Sequence, residues 1–246
     1  MKKVSILGVR VDAVTMPETL NIIEGFIQEG KPRHVITLNA EIIHRAWQEP
    51  SLKEIIDQAH LVTPDGSGVV WAAKKLGTPV PERVTGIDLV QALLPLAAQK
   101  GWSLYFYGGK PGVAEEAARR LKEQHPGLII AGTSHGYLSE QDKHHLLVDI
   151  KAKKPHILLV ALGAPRQEHW IRQHLAGLNV PVSIGVGGTL DVLSGRVKRA
   201  PAAFQKLKME WLYRLLKEPW RARRMLALPK FTLAVLKAAS KSVVRS

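Results

Sequence analysis

The stretch HILLVALGAPRQEHW, residues 156–170, decides the fold. An almost unbroken apolar run meets Gly163 and Pro165, and a polar segment with helical character follows. A short continuous apolar run ending in turn residues suits a strand covered on both faces. Six further runs read alike: VSILGV (4–9), HVITLN (34–39), AHLVTP (59–64), WSLYFYG (102–108), GLIIAGT (127–133) and VPVSIGV (180–186). Segments with 3.6-residue periodicity lie between them, over 17–28, 86–100, 112–124 and 139–152. Strands alternating with such helices predict βαβ units and a Rossmann-like α/β fold, its largely parallel sheet carrying helices on both faces.

The charge is unevenly spread. Of the 246 residues, 35 are Lys or Arg and 21 are Asp or Glu, a net charge of +14. Residues 195–246 hold 14 of the basic residues and only two acids, Glu210 and Glu218, so twelve of the fourteen net charges sit there. This predicts an α/β core over 1–194 and a basic helical appendage over 195–246. Such asymmetry calls for an anionic partner: a membrane surface, a nucleic acid or a phosphorylated substrate. With no cysteine in the chain, disulfides and thiolate metal sites are excluded, and the composition fits a reducing cytoplasm. The N-terminal apolar patch is broken by Arg10 and Asp12 and reads as a strand, not a signal peptide. No apolar run reaches the roughly 20 residues that span a bilayer.

Open parallel sheets bind ligands at the carboxyl ends of their strands. Five such ends here carry small, polar or charged residues: Thr37 with Asn39; Asp65; Gly108 with Gly109; Gly163 to Gln167; and Gly187 with Gly188. Asp65, in LVTPDGSGVVW (61–71), has two readings. It caps the following helix by accepting its free N–H groups, or it is a base at the mouth of a cleft. Arg166 and Gln167 project from a helix start, either toward a sugar or phosphate or simply into solvent. Asp191 either grips a ribose or base, or complements a helix dipole. The turn YGGKPG (107–112) either lets backbone N–H groups approach a phosphate or is a plain tight turn, and it matches neither GxGxxG nor the Walker A pattern.

The ten histidines form no HxH or HExxH pattern, and no DxD pair is present to hold a divalent cation. No metal and no cofactor are expected, so Arg, Lys and helix N-termini must meet any diphosphate. In FQKLKMEWLYRLLKEPWRARRM (204–225), Leu207, Trp211 and Leu215 recur at helical spacing, with Arg214, Arg221 and Arg224 near one side. Apolar, aromatic and basic residues so arranged suit a helix lying on an anionic membrane; a helix packed on the body with a wet basic face is the alternative.

Six motifs in order, ITLNAE (36–41), VTPDGSGVVW (62–71), ERVTGIDL (82–89), YFYGGKPGV (105–113), ALGAPRQEHW (161–170) and GVGGTLDVLSGRVKRAP (185–201), resemble the WecG/TagA/CpsF glycosyltransferase family. The resemblance covers nearly all of 1–201 and continues through the basic segment to about 225. It implies an inverting, metal-independent transferase at the inner face of the membrane, with a UDP-sugar donor and a polyprenyl-diphosphate-linked sugar acceptor. The branch most alike moves N-acetylmannosamine onto undecaprenyl-diphospho-N-acetylglucosamine in the wall teichoic acid linkage unit; other branches use N-acetylmannosaminuronic acid. Carried over by motif, Asp65 is the general base, Thr37, Asn39 and Gln167 orient sugar or phosphate groups, and Arg83 stabilises the leaving diphosphate. Tyr137, Gly187 and Asp191 lie on the uridine side, Gly108, Gly109, Arg166 and Gly188 complete the substrate-binding set, and Arg214, Arg221 and Arg224 meet the lipid diphosphate or the nucleotide diphosphate at the membrane.

Two other classes compete. A nucleic-acid binder fits the pI of about 10.1, but confinement of the charge to an amphipathic segment and the acids Asp65 and Asp191 speak against it, so no nucleic-acid partner is expected. A nicotinamide-dependent sugar-nucleotide dehydrogenase lacks its glycine fingerprint here. Association into a homo-oligomer stays open on the sequence.

Overall fold

The structure, a computed structural model, describes residues 1–201, 204, 210, 213, 215 and 227–243. Its centre is a six-stranded sheet in the order β4-β3-β8-β7-β5-β6. The strands are β3 (Arg33–Leu38), β4 (Leu61–Pro64), β5 (Ser103–Gly108), β6 (Ile129–Ser134), β7 (Ile157–Ala161) and β8 (Val182–Gly185). Every pairing is parallel. The expected parallel α/β sheet is therefore present.

Strand residues alternate between two apolar layers, as the two-residue period of a strand requires. Val35, Leu61, Leu104, Phe106, Ile157, Leu159, Val182 and Ile184 join one layer. Helices α1 (Met16–Glu29), α5 (Gly86–Lys100) and α6 (Val113–Gln124) cover it. Ile36, Leu38 and Val62 face the opposite side, under α2 (Ala40–Ala46), α3 (Pro50–Gln58) and α4 (Ser67–Lys75). Further along that side Tyr105, Tyr107, Leu158 and Val160 pack beneath α7 (Glu140–Lys153) and α8 (Arg166–Leu178).

The run VSILGV is not one strand of this sheet. It splits into β1 (Lys3–Ile6) and the start of β2 (Val9–Asp12), an antiparallel hairpin. Leu7 and Gly8 form its two-residue turn with φ of 54° and 83°, the geometry a tight hairpin demands. The hairpin shields the sheet edge. Buried Asp12 is paired with Arg10 at 2.9 Å and accepts the N–H of Val62 at 2.8 Å, which satisfies an outward donor of edge strand β4. Helices α2 and α3, short and close together, fall in a stretch where the periodicity gave no separate elements.

Neighbouring strands β3 and β8 connect in opposite directions: β3 leads on to β4, while β8 arrives from β7. This is a topological switch point, and the crevice beyond its carboxyl ends is where a ligand belongs. After β8 comes the short α9 (Thr189–Leu193). The last described helix, α10 (Ala227–Val243), lies against α2 and α4 with Phe231 and Val235 inside the same apolar layer. Thus at least this part of the basic C-terminal region packs on the body. Among the described residues, no helix is long and apolar enough to cross a membrane.

Candidate active site

A cavity of about 870 Å³ opens at the switch point, between the ends of β3, β4, β7 and β8 on one side and α10 on the other. Its polar floor includes Thr37, Asn39, Asp65 and Gln167, with the backbone of Gly187 and Gly188. Its outer wall is apolar, with Trp71, Leu215, Leu228 and Phe231. A polar floor beneath an apolar rim suits a ligand with a sugar or phosphate head and a greasy tail.

Each polar group is held by an identifiable partner. Asp65 follows β4 directly; its N–H extends the ladder to the Leu38 carbonyl at 2.9 Å. Its Oδ2 accepts the N–H of Gly86, the first residue of α5, at 3.3 Å. The N-cap position of α4 belongs to Gly66, whose φ of 97° favours glycine. Asn39 caps α2 through Oδ1, which accepts the Ile42 N–H at 3.0 Å. Thr37 donates its hydroxyl to the Gly185 carbonyl at 2.9 Å. Gly86 sits so close that a Cβ there would lie 3.3 Å from Thr37 Oγ1, so the start of α5 reaches the end of β3 because glycine permits it.

Gln167 is buried in the first turn of α8. Its Oε1 accepts the Gly187 N–H at 3.0 Å and its Nε2 donates to Glu168 Oε1 at 2.8 Å. Glu168 is fully enclosed, and burial pushes its carboxyl up to about 7 against the opposing pull of the Gln167 hydrogen bond.

A charged network guards one flank. Arg199 reaches Asp88 at 2.6 Å and Glu210 at 3.5 Å, and Arg83 reaches the same two acids at 3.9 Å and 3.4 Å. Asp88 in turn accepts the Thr85 hydroxyl at 2.6 Å, and Thr85 is the N-cap of α5. Glu210 lines the cavity, so Arg83 stands one residue behind its wall.

The glycosyl transferase WecG/TagA/CpsF family matches over residues 4–244. The chain belongs to that family. It is 41% identical over 212 residues to an N-acetylglucosaminyldiphosphoundecaprenol N-acetyl-beta-D-mannosaminyltransferase of Bacillus spizizenii, covering 86% of this chain and 82% of the relative. A protein of the same name from Bacillus subtilis is 36% identical over 203 residues, 82% of this chain and 78% of its own length. Another from Staphylococcus aureus is 35% identical over 241 residues, 97% of this chain and 94% of its own.

In this WecG/TagA/CpsF family member, the structure brings Thr37, Asn39, Asp65, Gln167, Gly187 and Gly188 to one cavity. It does not bring Gly108, Gly109, Tyr137, Arg166 or Asp191 to its lining. Gly108 and Gly109 close the end of β5 beside β7, where the Gly109 N–H meets the Ala161 carbonyl at 3.1 Å. Tyr137 is exposed, Arg166 donates to the Leu162 carbonyl at 2.8 Å, and the Asp191 carbonyl accepts the N–H of Val197. Arg214, Arg221 and Arg224 lie outside the described residues.

Glu168, Arg199, Glu210 and the apolar wall of Trp71 and Phe231 were not singled out from sequence. An acid in a first helical turn reads as a solvent-facing dipole partner, which hides a Glu168 that turns inward. Arg199 and Glu210 blend into a basic segment whose charges look uniformly solvated. Among the described residues, no group of three His, Asp or Glu is placed to hold a metal ion.

Proposed function

We propose that this chain transfers N-acetylmannosamine from UDP-N-acetylmannosamine to the 4-hydroxyl of undecaprenyl-diphospho-N-acetylglucosamine, the β-1,4 step of wall teichoic acid linkage-unit synthesis, on a Rossmann-like core. The names of its relatives supply the acceptor and the sugar. The observation that carries the chemistry is Asp65, a carboxylate at the floor of a cavity whose rim is apolar.

Asp65 takes the proton of the acceptor hydroxyl as that oxygen attacks the anomeric carbon. The bond from that carbon to the UDP oxygen breaks on the opposite face, so the α-linked donor yields a β-linked product. Thr37, Asn39 and Gln167 orient the sugars around this line of attack. Arg83 meets the charge that develops on the leaving diphosphate, and Arg214, Arg221 and Arg224 add to it from the C-terminal region. These cations take the role a divalent ion plays elsewhere, so chelator is expected to leave the rate unchanged. Gly187 and Gly188 bound the donor side of the cavity.

The lipid tail of the acceptor leaves across Trp71, Leu228 and Phe231 to the bilayer. Exposed Leu233 and Leu236 on α10 and the basic residues of 195–246 favour peripheral attachment to the cytoplasmic face of an anionic membrane. The test is product formation from UDP-N-acetylmannosamine and a short-chain lipid-diphospho-N-acetylglucosamine, with and without chelator. Transfer that survives chelation bears the reading out. Transfer only from the uronic-acid donor moves the enzyme to another branch, and loss restored by Mg²⁺ overturns the metal-independent mechanism.

A further inference from the structure

Glu168, in the first turn of α8, is enclosed without full pairing. It is a carboxyl with no exposed surface, and its Oε2 has no hydrogen-bond partner among the described residues. A carboxyl is rarely enclosed this way unless something depends on it, because burial without full pairing is unfavourable. Among the described residues its one side-chain hydrogen-bond partner is the amide of Gln167, the adjacent residue, which lines the cavity.

That amide has a forced orientation. The Gly187 N–H can only donate, so it selects Oε1 of Gln167 as its partner. Nε2 then faces Glu168 Oε1, which accepts one of its two hydrogens. Gly185 completes the seat, since a Cβ there would lie 2.7 Å from Nε2. Remove the acceptor at 168 and Nε2 loses what holds it against β8; the amide is free to swing, and the Gly187 N–H loses its partner.

We infer that Glu168 is a positioning residue for the transfer reaction: it fixes the Gln167 amide, which in turn holds the Gly187–Gly188 turn at the donor side of the cavity. This rests on the proposed function for its consequence in turnover, but not for its structural content. Because an acceptor oxygen is all the role requires, the neutral amide of Gln replaces it.

The experiment uses the full chain with Glu168→Gln, Glu168→Met, Gln167→Met and the double variant Gln167→Met/Glu168→Met. Two readouts are taken: kcat and KM for UDP-N-acetylmannosamine, and hydrogen–deuterium exchange of the Gly187 amide. E168Q is expected to keep kcat/KM within about threefold of wild type and to keep Gly187 protected. E168M is expected to lose at least about tenfold in kcat/KM and to speed Gly187 exchange by a similar factor. The double variant is expected to match Q167M within about twofold, since Glu168 acts only through Gln167. An E168Q as impaired as E168M overturns the proposal, and so do losses that multiply in the double variant. Absence of transfer by wild type overturns the functional reading instead, and Gly187 exchange alone then decides the role of Glu168: protection unchanged in E168M removes it.

Discussion

Asp65 Oδ2 lies 3.3 Å from the backbone nitrogen of Gly86, which ties the end of β4 to the first turn of α5. The carboxylate is therefore fixed by backbone, at a helix end that favours negative charge. Asp65→Asn keeps the size and an oxygen to accept the Gly86 N–H, but cannot take up a proton. Turnover is expected to fall by about 10² to 10⁴, with the urea midpoint close to wild type. Near-normal turnover in a folded variant removes Asp65 as the base.

Gly185→Ala probes the floor of the cavity. The backbone there has no positive φ, so alanine is not excluded by conformation. Its Cβ would instead stand 2.7 Å from Nε2 and 3.1 Å from Cδ of Gln167, an amide already held at both ends. Displacing it leaves the Gly187 N–H unpaired, which costs about 1–3 kcal/mol. Urea denaturation followed by tryptophan fluorescence should report that loss together with slower transfer. Wild-type stability and rate in this variant would mean that Gln167 swings away freely.

Much of this architecture is legible in single residues. Ile157 to Ala161 are wholly apolar because both faces of β7 are covered, and that unbroken run marks a central parallel strand. The switch-point rule then leads from strand ends to Thr37, Asn39, Asp65 and Gln167. What the pattern hides is direction. Leu7 at positive φ turns an apparent strand into a hairpin, and leucine gives no warning of that. Gln167 and Glu168 look like an ordinary exposed first turn, yet both face inward because Gly185 makes room for the amide. Gly108 and Gly109 end a strand as Gly187 and Gly188 do, but β5 lies beyond β7 and away from the switch point. Strand order, which long-range pairing sets, separates the two glycine pairs.

Phe231 tests whether the C-terminal region is an appendage or part of the core. Its ring is buried, stacks on Trp47 with centroids 6.4 Å apart, and forms the cavity wall. Phe231→Ala is expected to destabilise the whole chain by about 3–5 kcal/mol. One cooperative transition at lower urea is the expected curve, with a raised KM for the lipid acceptor. A separate early transition, leaving the main midpoint unmoved, would show that α10 docks independently of the body.

Glu168 and His34 bend the pH dependence of stability in opposite senses. Burial, with His60 and Arg172 nearby, pushes His34 down to about 3 in the folded chain. Its contribution is full above its unfolded value of 6.5 and is lost as pH falls toward 3. Glu168 is pushed up from 4.5 to about 7, so its contribution is full below 4.5 and is lost as pH rises through 7. Glu168→Gln removes only the second slope, and His34 cancels in the difference between the two proteins. The stability of E168Q relative to wild type should therefore rise by about 2–3 kcal/mol between about pH 5 and about pH 8. Paired urea titrations at the two pH values measure it directly. A difference that does not change with pH would mean that Glu168 titrates alike in the folded and unfolded chain, and that its enclosure does not hold it in the neutral form.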